Sequence, residues 1–541
     1  MNPDAAVGLN MERSRPGRNR RVLALGIDAA SPALIGRWIA DGSLPRLAEL
    51  ARRGGRGTTH GVDGFFVGST WPSLITGSNP ATHGIHYQVQ IRPGTYEFFE
   101  PLRDDEATVA PFWEALTRAG RRALVLDVPL SRISPGLLGA QIVEWGCHDA
   151  FVGFGVHPPD LGSWIATAIG PHPVGSRCDQ DGRTAAHYAT LIDALERGAA
   201  LRTRLTLELL ARENWDVAIQ VFSEAHCAGH QCWHLHDPTH PGHDPALRAS
   251  LGDPLLRVYR AIDEAVGEIV AAVSDADILI FSAHGMGPWY GAHFLLQPIL
   301  EALGVTAPVS RPSEEERWPA ARRVWRRLPS PLRDAVRRVI PGPADRGSPP
   351  RPRLASDPAR SDCFAVPNGL AVSGIRLNLR GREPLGRLDP AGRDRFVDRL
   401  RRDLLEVIDE RTGRPLIRRV VAASDYGDGP AAARLPDLLV EWDEHPTGSA
   451  QIAGGAGSLV RARSPKIGII EGANSYGRTG EHRRDGFIIA VGPEAVAGDL
   501  GQISTLEIAP TILALQGVPG DDRTDSRLLD SLRGRPGPGV A

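Results

Sequence analysis

Short apolar runs that alternate with helical patterns constrain the fold of this chain more than any other feature. The run from Val22 to Ile27 is continuously apolar, which is typical of a strand buried on both faces of a sheet. Because such runs recur after segments with helical spacing, we predict an α/β fold: a mostly parallel central sheet with helices on both faces and inserted cap or lid segments. The further predicted strands span 123–128, 217–222, 278–282, 436–442 and 486–491, and the predicted helices span 32–41, 109–119, 200–211, 255–273 and 504–515.

Composition and charge exclude several classes of function. The chain has 541 residues with 62 basic and 64 acidic side chains, and a net charge of −2 does not favour binding to duplex nucleic acid or to an anionic membrane. No run approaches the roughly 18 apolar residues that a membrane-spanning helix needs. The five cysteines and an N-terminus without a long apolar stretch predict a cytoplasmic protein. The sequence does not indicate an oligomeric state.

One unusual segment interrupts the alternation. Between about Arg311 and Arg360 the pattern gives way to proline, arginine and serine, which predicts an insertion or lid. Its arginines interleave with apolar residues, as in a solvated loop or in a surface that contacts an anionic substrate or a membrane. The predicted units are a disordered N-terminus (1–20), a first part of the core (21–304), the insertion (305–362), a second part of the core (363–531) and a flexible tail (532–541).

Five segments at or near the ends of predicted strands carry side chains that can bind a metal ion. Ligand sites of parallel sheets lie beyond the carboxyl ends of the strands, so these segments are expected to converge. Asp28 follows the first strand, although an aspartate there can simply cap the next helix. His284 follows a strand and His482 precedes one, and either histidine alone fits a structural role.

His226 and His230 lie in a histidine-rich segment, VFSEAHCAGHQCWHLHDPTHPGH. On a helix, a spacing of four residues places both rings on one face, where neutral imidazoles can bind one ion. Cys227 stands where a zincin-type protease needs glutamate, which excludes that mechanism. A histidine-rich loop without a metal is the alternative. The nitrogen and oxygen donors of the whole set suit zinc, or manganese or iron.

Thr70 lies in GSTWPSLITGSNPATHGI, two residues before Pro72 at a predicted helix start. A hydroxyl at such a position can attack phosphorus while unpaired backbone N–H groups bind a phosphoryl oxygen. An ordinary helix cap is the alternative role of Thr70, and Ser69 is a rival nucleophile.

The motifs follow one another in a characteristic order: GIDAASPALIGRWIADGSLPRLAELARRG, TWP with TGSNPATHGI, HCAGHQCWH, FSAHGMG, SGIRLNLRGREPLG, GEHRRDGFIIAVGP and IAPTILALQGVP. From about Val22 to Leu529, without the insertion, the chain resembles the type I phosphodiesterase and nucleotide pyrophosphatase family of the alkaline phosphatase superfamily. The resemblance implies two metal sites beside a threonine or serine nucleophile that forms a phosphoryl-enzyme intermediate. By position, the nucleophile matches Thr70, the ligands of the nucleophile-side metal match Asp28 and His284, and those of the second metal match His230 and His482.

Two positions depart from the pattern of that family. Ala283 replaces the aspartate of the usual SDHG motif, and His226 replaces an aspartate four residues before the second-site histidine. Two anionic ligands are therefore lost, and Glu224 is predicted as a replacement carboxylate. The first site is left with Asp28, Thr70 and His284, and the second with His226, His230 and His482.

These features predict a metal-dependent phosphoric ester hydrolase with one or two divalent ions and a small phosphodiester or nucleotide-like substrate. A phosphoryl or phospho-group transferase on the same fold is the nearest alternative. The alternative from another class of function is a non-catalytic relative that binds a phosphorylated ligand. The loss of a metal-binding aspartate at Ala283 is the best support for this alternative. At the predicted nucleophile the chain reads Thr70-Trp71-Pro72-Ser73-Leu74 and not C/S-x-P-x-R, which disfavours a sulfatase. Arg382 and Glu383 are predicted to form a structural ion pair rather than to line the pocket.

Overall fold

The computed structural model describes residues 20–104, 106–148, 150–175, 179, 183–212, 214–273, 275–309, 353–445, 459–474, 477–519 and 527–534. The predicted disordered N-terminus up to residue 19, the tail from 535 and residues 310–352 of the predicted insertion lie outside this set. The predicted unit boundaries therefore stay predictions.

The described chain consists of short strands and helices, which alternate most regularly in its first half. The strands are β1 Val22–Ile27, β2 Gly55–His60, β3 Gln90–Ile91, β4 Phe98–Phe99, β5 Ala123–Leu126, β6 Gly139–Val143, β7 Gly155–His157, β8 Val217–Phe222, β9 Asp277–Phe281, β10 Gly285–Pro288, β11 Cys363–Val366, β12 Val372–Leu377, β13 Ile408–Asp409, β14 Ile417–Ala422, β15 Leu438–Trp442, β16 Leu459–Ser464, β17 Gly468–Ala473, β18 Gly480–Arg483, β19 Asp485–Val491 and β20 Gly498–Ser504. The helices are α1 Pro32–Ala40, α2 Pro45–Arg53, α3 Thr70–Thr76, α4 Pro80–His83, α5 Phe112–Arg118, α6 Leu161–Trp164, α7 Ala185–Arg212, α8 Glu224–His236, α9 Pro245–Leu251, α10 Pro254–Ala271, α11 Leu296–Ala302, α12 Arg393–Leu405, α13 Ile508–Leu515 and α14 Arg527–Leu532.

A nine-stranded sheet, counted over the described residues, organises the molecule in the order β20-β2-β19-β9-β1-β8-β5-β6-β7. Strand β1 pairs in parallel with β8 and β9, and Val22 lies opposite both Val217 and Asp277. The pairs β5·β8, β5·β6 and β2·β20 are also parallel, whereas β19 and β7 run antiparallel to their neighbours. The predicted mostly parallel α/β sheet is confirmed.

Both faces of this sheet are covered, because successive side chains of a strand point to opposite faces. In β1, Leu23 and Leu25 pack in the core that contains α1, α2, α7, α8 and α10, whereas Val22 and Ala24 pack against α3, α5, α13 and α14. Gly26 lies where a Cβ atom would come within 2.9 Å of the Trp71 ring, so the close approach of α3 to the sheet requires a glycine there.

A second, smaller core lies around an antiparallel sheet of order β11-β12-β15-β14, against which α11 and α12 pack. Its strand β12 comes from the SGIRLNLRGREPLG motif. In the loop after β12, Arg382 Nε lies 2.8 Å from Glu383 Oε1, and Arg376 contacts the same carboxylate oxygen at 2.9 Å. The predicted structural ion pair is confirmed.

The observed elements differ from the predicted ones mainly at their ends. Strands β1 and β8 have the predicted bounds, whereas the strand predicted over 123–128 ends at Leu126 because Asp127 takes a positive φ of 55°. The helix predicted over 200–211 is the end of the longer α7, and the helix predicted from 109 begins only after Pro111. None of the helices in the described ranges has the length and apolar character that crossing a membrane requires.

Candidate functional site

The topology brings the predicted site segments to one edge of the sheet. Asp28, His226 and His284 follow the carboxyl ends of the parallel neighbours β1, β8 and β9. Strand β19 runs in the opposite direction, so His482, three residues before it, lies at the same edge. Thr70 follows β2, which runs parallel to the central strands, and begins α3. This is the edge at which α/β sheets bind ligands.

The buried helix α8 positions the first two histidines. His226 and His230 are one turn apart, and their Nε2 atoms lie 2.9 Å from each other, as the four-residue spacing predicts. His226 Nδ1 lies 2.5 Å from Asp28 Oδ2, and His230 Nδ1 lies 2.8 Å from the carbonyl oxygen of Gly480. A ring nitrogen facing a carbonyl oxygen is a donor, so His230 presents the Nε2 lone pair to His226.

Asp28 is enclosed by donors. Its Oδ1 accepts a hydrogen bond of 2.8 Å from the Trp71 indole, and its Oδ2 contacts His226. Burial by itself would raise the pKa of the Asp28 carboxyl, but electrostatic attraction to the neighbouring His226 and His284 imidazoles and the hydrogen bonds from His226 and Trp71 hold this pKa well below its usual value. Asp28 is therefore a carboxylate at neutral pH.

Two further imidazoles complete the cluster. The ring of His482 lies 4.8 Å from that of His226 and 4.7 Å from that of His230, at interplanar angles of 79° and 90°. The ring of His284 lies 4.7 Å from that of His482. The Nδ1 atoms of His284 and His482 are buried and have no hydrogen-bond partner in the described part of the chain. Burial lowers the pKa of His284 to about 4 and lowers those of His230 and His482 well below the usual value, so these rings are neutral at pH 7.

Thr70 is the first residue of α3, as predicted, and its buried hydroxyl has no hydrogen-bond partner among the described residues. The hydroxyl of the rival Ser69 lies 3.2 Å from Ser73 Oγ and 3.4 Å from His83 Nε2. Trp71, the residue after Thr70, connects the helix start to Asp28. The geometry thus leaves the Thr70 hydroxyl available, while that of Ser69 is engaged.

Neither Ala283 nor the predicted replacement Glu224 brings a carboxylate to the histidines. Ala283 is fully buried and contributes no donor side chain. Glu224 is also fully buried, but its Oε1 lies 3.1 Å from Arg202 Nε and 3.0 Å from His172 Nε2. These contacts direct Glu224 to a different cluster, and the structure does not bring it together with His226 and His230.

The prediction did not include His148. Its ring stacks on that of His226 with 4.1 Å between centroids and 25° between planes. Potential ligand atoms of His148, His226 and His230 lie within 4.8 Å of one another. His148 follows β6 at the same sheet edge, five residues after the strand ends, so the criterion that selected Asp28 and His284 could also have found His148.

A small cavity opens onto this cluster. Its volume is about 60 Å³, far below the roughly 300 Å³ or more of a pocket that encloses a whole ligand, so it does not enclose a whole substrate. Thr70 and His230 are not among the described residues that line it. The lining residues are Asp28, Val67, Gly68, Trp71, Gln88, Pro129, Leu130, His148, Phe151, His226, His284 and His482.

Comparisons with known proteins place this chain in a family. The model of the type I phosphodiesterase / nucleotide pyrophosphatase family matches residues 22–447. Among solved structures, the chain is similar to phosphonoacetate hydrolase from Sinorhizobium meliloti 1021 in complex with phosphonoformate or phosphonoacetate (TM-score 0.50, 15% identity, 92% of this chain and 96% of that chain covered), which shows a shared fold. It is also similar to an inactive form of the murine ectonucleotide pyrophosphatase / phosphodiesterase 5 in complex with AMP (TM-score 0.46, 12% identity, 95% of this chain and 100% of that chain covered). No curated protein matches the chain.

The family match covers most of the chain, including β1, α3, α8 and the strand-end His284. The protein therefore belongs to the type I phosphodiesterase / nucleotide pyrophosphatase family of the alkaline phosphatase superfamily and is a phosphoester hydrolase.

Proposed function

We propose that this hydrolase is metal-dependent and that Thr70 is its nucleophile. The observation that carries the proposal is the pair of facing Nε2 atoms of His226 and His230, 2.9 Å apart, each on a ring whose Nδ1 atom faces an oxygen acceptor. Donation from Nδ1 leaves a lone pair on Nε2. Two facing lone pairs need a cation between them, which is either a proton or a metal ion.

The residues present fit a divalent ion. An acceptor oxygen behind the outer nitrogen of a ligating histidine is the usual support of a metal site, and Asp28 and the Gly480 carbonyl provide it. Two zinc–nitrogen bonds of roughly 2.0–2.1 Å at a tetrahedral angle separate the nitrogens by about 3.3 Å, so the pair has to open only slightly. His482, with its unpartnered Nδ1 atom, supplies a third imidazole.

We assign a second, weaker position to Asp28, His284 and Thr70. Both Asp28 oxygens already have partners, and Ala283 offers no carboxylate. The unpartnered His284 Nδ1 and Thr70 Oγ1 atoms are the remaining donors there. Neutral imidazole nitrogens favour zinc over magnesium or calcium, while manganese and iron stay possible occupants of the more oxygen-rich position. That Glu224 binds a metal ion stays a prediction. Its contacts with Arg202 and His172 do not favour this role.

A bound divalent ion supplies positive charge that stabilises phosphoryl oxygens and lowers the pKa of an adjacent hydroxyl. Thr70 Oγ1 attacks phosphorus and displaces one of the two alcohols, and the proton of the Thr70 hydroxyl leaves with that alcohol. The intermediate is a phosphodiester between Thr70 and the remaining alcohol, which water then hydrolyses to a phosphomonoester. Trp71 holds the start of α3 against Asp28, and so orients Thr70. The substrate that we propose is a small phosphodiester or a nucleotide-like ester. The cytoplasmic location stays a prediction.

Substitution of Thr70 tests the assignment. Thr70→Ala removes the attacking oxygen, so we expect hydrolysis of bis(p-nitrophenyl) phosphate to fall by on the order of 10³-fold or more, whereas Thr70→Ser keeps a hydroxyl and measurable turnover. Acid quenching during turnover should trap a p-nitrophenyl phosphate group on Thr70, detectable by peptide mass spectrometry.

Ser69→Ala is the matched control, because its hydroxyl is engaged with Ser73 and His83. It should keep turnover within about tenfold of the wild type, since it removes only a supporting hydrogen bond. The nucleophile assignment is wrong if Thr70→Ala turns over like the wild type or if Ser69→Ala alone abolishes hydrolysis. Unchanged ligand affinity in a Thr70→Ala protein, together with no turnover by the wild type, would instead identify a non-catalytic binding protein.

A further inference from the structure

The cavity at the histidine cluster has an apolar wall that the proposed chemistry does not use. Val67, Pro129, Leu130 and Phe151 line it, and they come from three separate loops. All four side chains are only partly buried. Partly exposed apolar side chains that converge on a cavity are surface that a ligand can cover.

The loop that carries Phe151 is held in place by a buried carboxylate. Glu144 Oε1 accepts hydrogen bonds from the backbone N–H groups of Phe151 (2.6 Å) and Val152 (3.0 Å), and Oε2 accepts one from Gly153 (2.5 Å). Three backbone donors on one ionised acceptor make a strong, charge-assisted clamp. The loop conformation is therefore fixed from one side by Glu144.

The other side of the same loop is held by Arg103. Its Nε and Nη2 atoms donate to the carbonyl oxygen of Phe151 at 3.1 and 2.8 Å. Glu144 and Leu130 both have φ of 55°, a conformation that costs a non-glycine residue of order 1 kcal/mol or more. The contacts of Glu144 and Arg103 hold the 151–153 loop in place, which keeps Phe151 at the cavity before any ligand binds.

We propose that this wall binds an uncharged aromatic or alkyl group of the phosphoester, so that the preferred substrates are phosphodiesters with an apolar alcohol. The inference rests on the proposed function, because it assumes that the phosphoryl group lies at the histidine cluster. The second phosphate of a pyrophosphate cannot replace that apolar group at the wall without cost, because an unpaired charge against carbon surfaces loses its hydration without compensation.

Two substrates with the same leaving group test the wall. Bis(p-nitrophenyl) phosphate and methyl p-nitrophenyl phosphate both release p-nitrophenolate, but only the first has a second aromatic group. We expect Phe151→Ala to lower kcat/KM for the bis-aryl ester about tenfold, because KM rises. The same substitution should lower kcat/KM for the methyl ester by a smaller factor. Phe151→Leu, which keeps apolar surface, should fall between Phe151→Ala and the wild type. Glu144→Gln, which weakens the clamp, should reduce the aryl preference in the same direction.

Phe154→Ala is the matched control. Phe154 lies in the same loop region, is 53% exposed and does not line the cavity, so its removal should change neither substrate. Thermal unfolding of each variant shows that the fold is intact.

If Phe151→Ala and Phe154→Ala behave alike while methyl p-nitrophenyl phosphate is still cleaved in a Thr70-dependent way, the inference fails and the proposed function stands. A higher kcat/KM for adenosine triphosphate than for the bis-aryl ester also overturns the inference. Absence of cleavage of every ester with zinc, manganese or iron present overturns both.

Discussion

Arg202 is fully buried at the edge of the sheet where the site lies. Each of its three guanidinium nitrogens has a hydrogen-bond acceptor there. Its Nη1 atom lies 2.7 Å from Asp127 Oδ2, Nε lies 3.1 Å from Glu224 Oε1, and Nη2 donates to the carbonyl oxygen of Gly146 at 3.0 Å. Asp127 follows β5, Gly146 precedes His148, and Glu224 begins the helix that carries His226. One side chain therefore connects three segments on which the cluster depends.

Replacement of Arg202 should strongly destabilise the protein. Arg202→Met keeps the apolar length but leaves the buried Asp127 and Glu224 carboxylates without their cation, which should lower the free energy of unfolding by about 3–5 kcal/mol. Urea denaturation measures this loss. The exposed Arg197 lies on the same helix and supplies the control, because Arg197→Met should change the unfolding free energy by less than about 0.5 kcal/mol. A loss below about 1 kcal/mol in Arg202→Met would contradict the role of the network.

Among the elements, the contact of α8 with β18 builds the histidine cluster. A Cβ atom on Gly480 would lie 2.3 Å from the carbonyl oxygen of Gly229, so only a glycine allows the strand to approach the helix this closely. This approach brings His482 of β18 to the rings of His226 and His230. Glu481, the neighbour of His482, is fully buried, and none of the described residues forms a hydrogen bond with its Oε2 atom.

The buried carboxyl group of β18 predicts a pH dependence of stability. Burial raises the pKa of Glu481 to about 7, above the unfolded value of 4.5, so the folded state binds the extra proton. The stabilising contribution is complete below pH 4.5 and is lost as the pH rises through 7. Glu481→Gln has no such titration. The unfolding free energy of Glu481→Gln relative to wild type should therefore increase by about 2–3 kcal/mol between pH 5 and pH 8.

Urea denaturation at both pH values, with a chelator present so that metal binding does not contribute, measures this difference. The comparison of two proteins at each pH cancels the titration of all other groups and any constant effect of the amide. An equal difference at pH 5 and pH 8 would show that Glu481 titrates with an ordinary pKa.

At the scale of the whole molecule, the cluster joins segments from both ends of the chain: β1 contributes Asp28, α8 contributes His226 and His230, and β18 contributes His482. An ion that binds these residues binds only the folded state, and so shifts the folding equilibrium. The large sheet and the smaller β11-β12-β15-β14 sheet have separate cores, and the cluster lies at the large sheet.

Metal binding should raise the melting temperature. At a free zinc concentration of about 100 times Kd, the stabilisation is about 3 kcal/mol, which we expect as a rise in Tm of several degrees in differential scanning calorimetry. His230→Ala should abolish the rise. The control is His236→Ala on the same helix, because His236 contacts Asp253 and Arg37 away from the cavity, and this variant should keep the rise. An equal rise in all three proteins would place the ion elsewhere.

Much of the fold and the donor set could be predicted because these features depend on local patterns. The bounds of β1 and β8 follow from apolar runs of six residues, and the rings of His226 and His230 meet because helix geometry alone places residues four apart on one face. Residues that follow parallel strands converge in any sheet of this kind, and this rule located Asp28 and His284.

The sequence by itself therefore determined the alternation of strands and helices, the edge of the sheet that carries the site and the donors available there. Only the tertiary structure decided how these donors pair: Asp28 with Trp71 and His226, Glu224 with Arg202 instead of the histidines, and His148 stacked on His226. The physical reason is that periodicity and capping involve neighbours within a few residues, whereas the partner of a buried charge is chosen by packing between segments tens to hundreds of residues apart, where any unpaired polar group is costly.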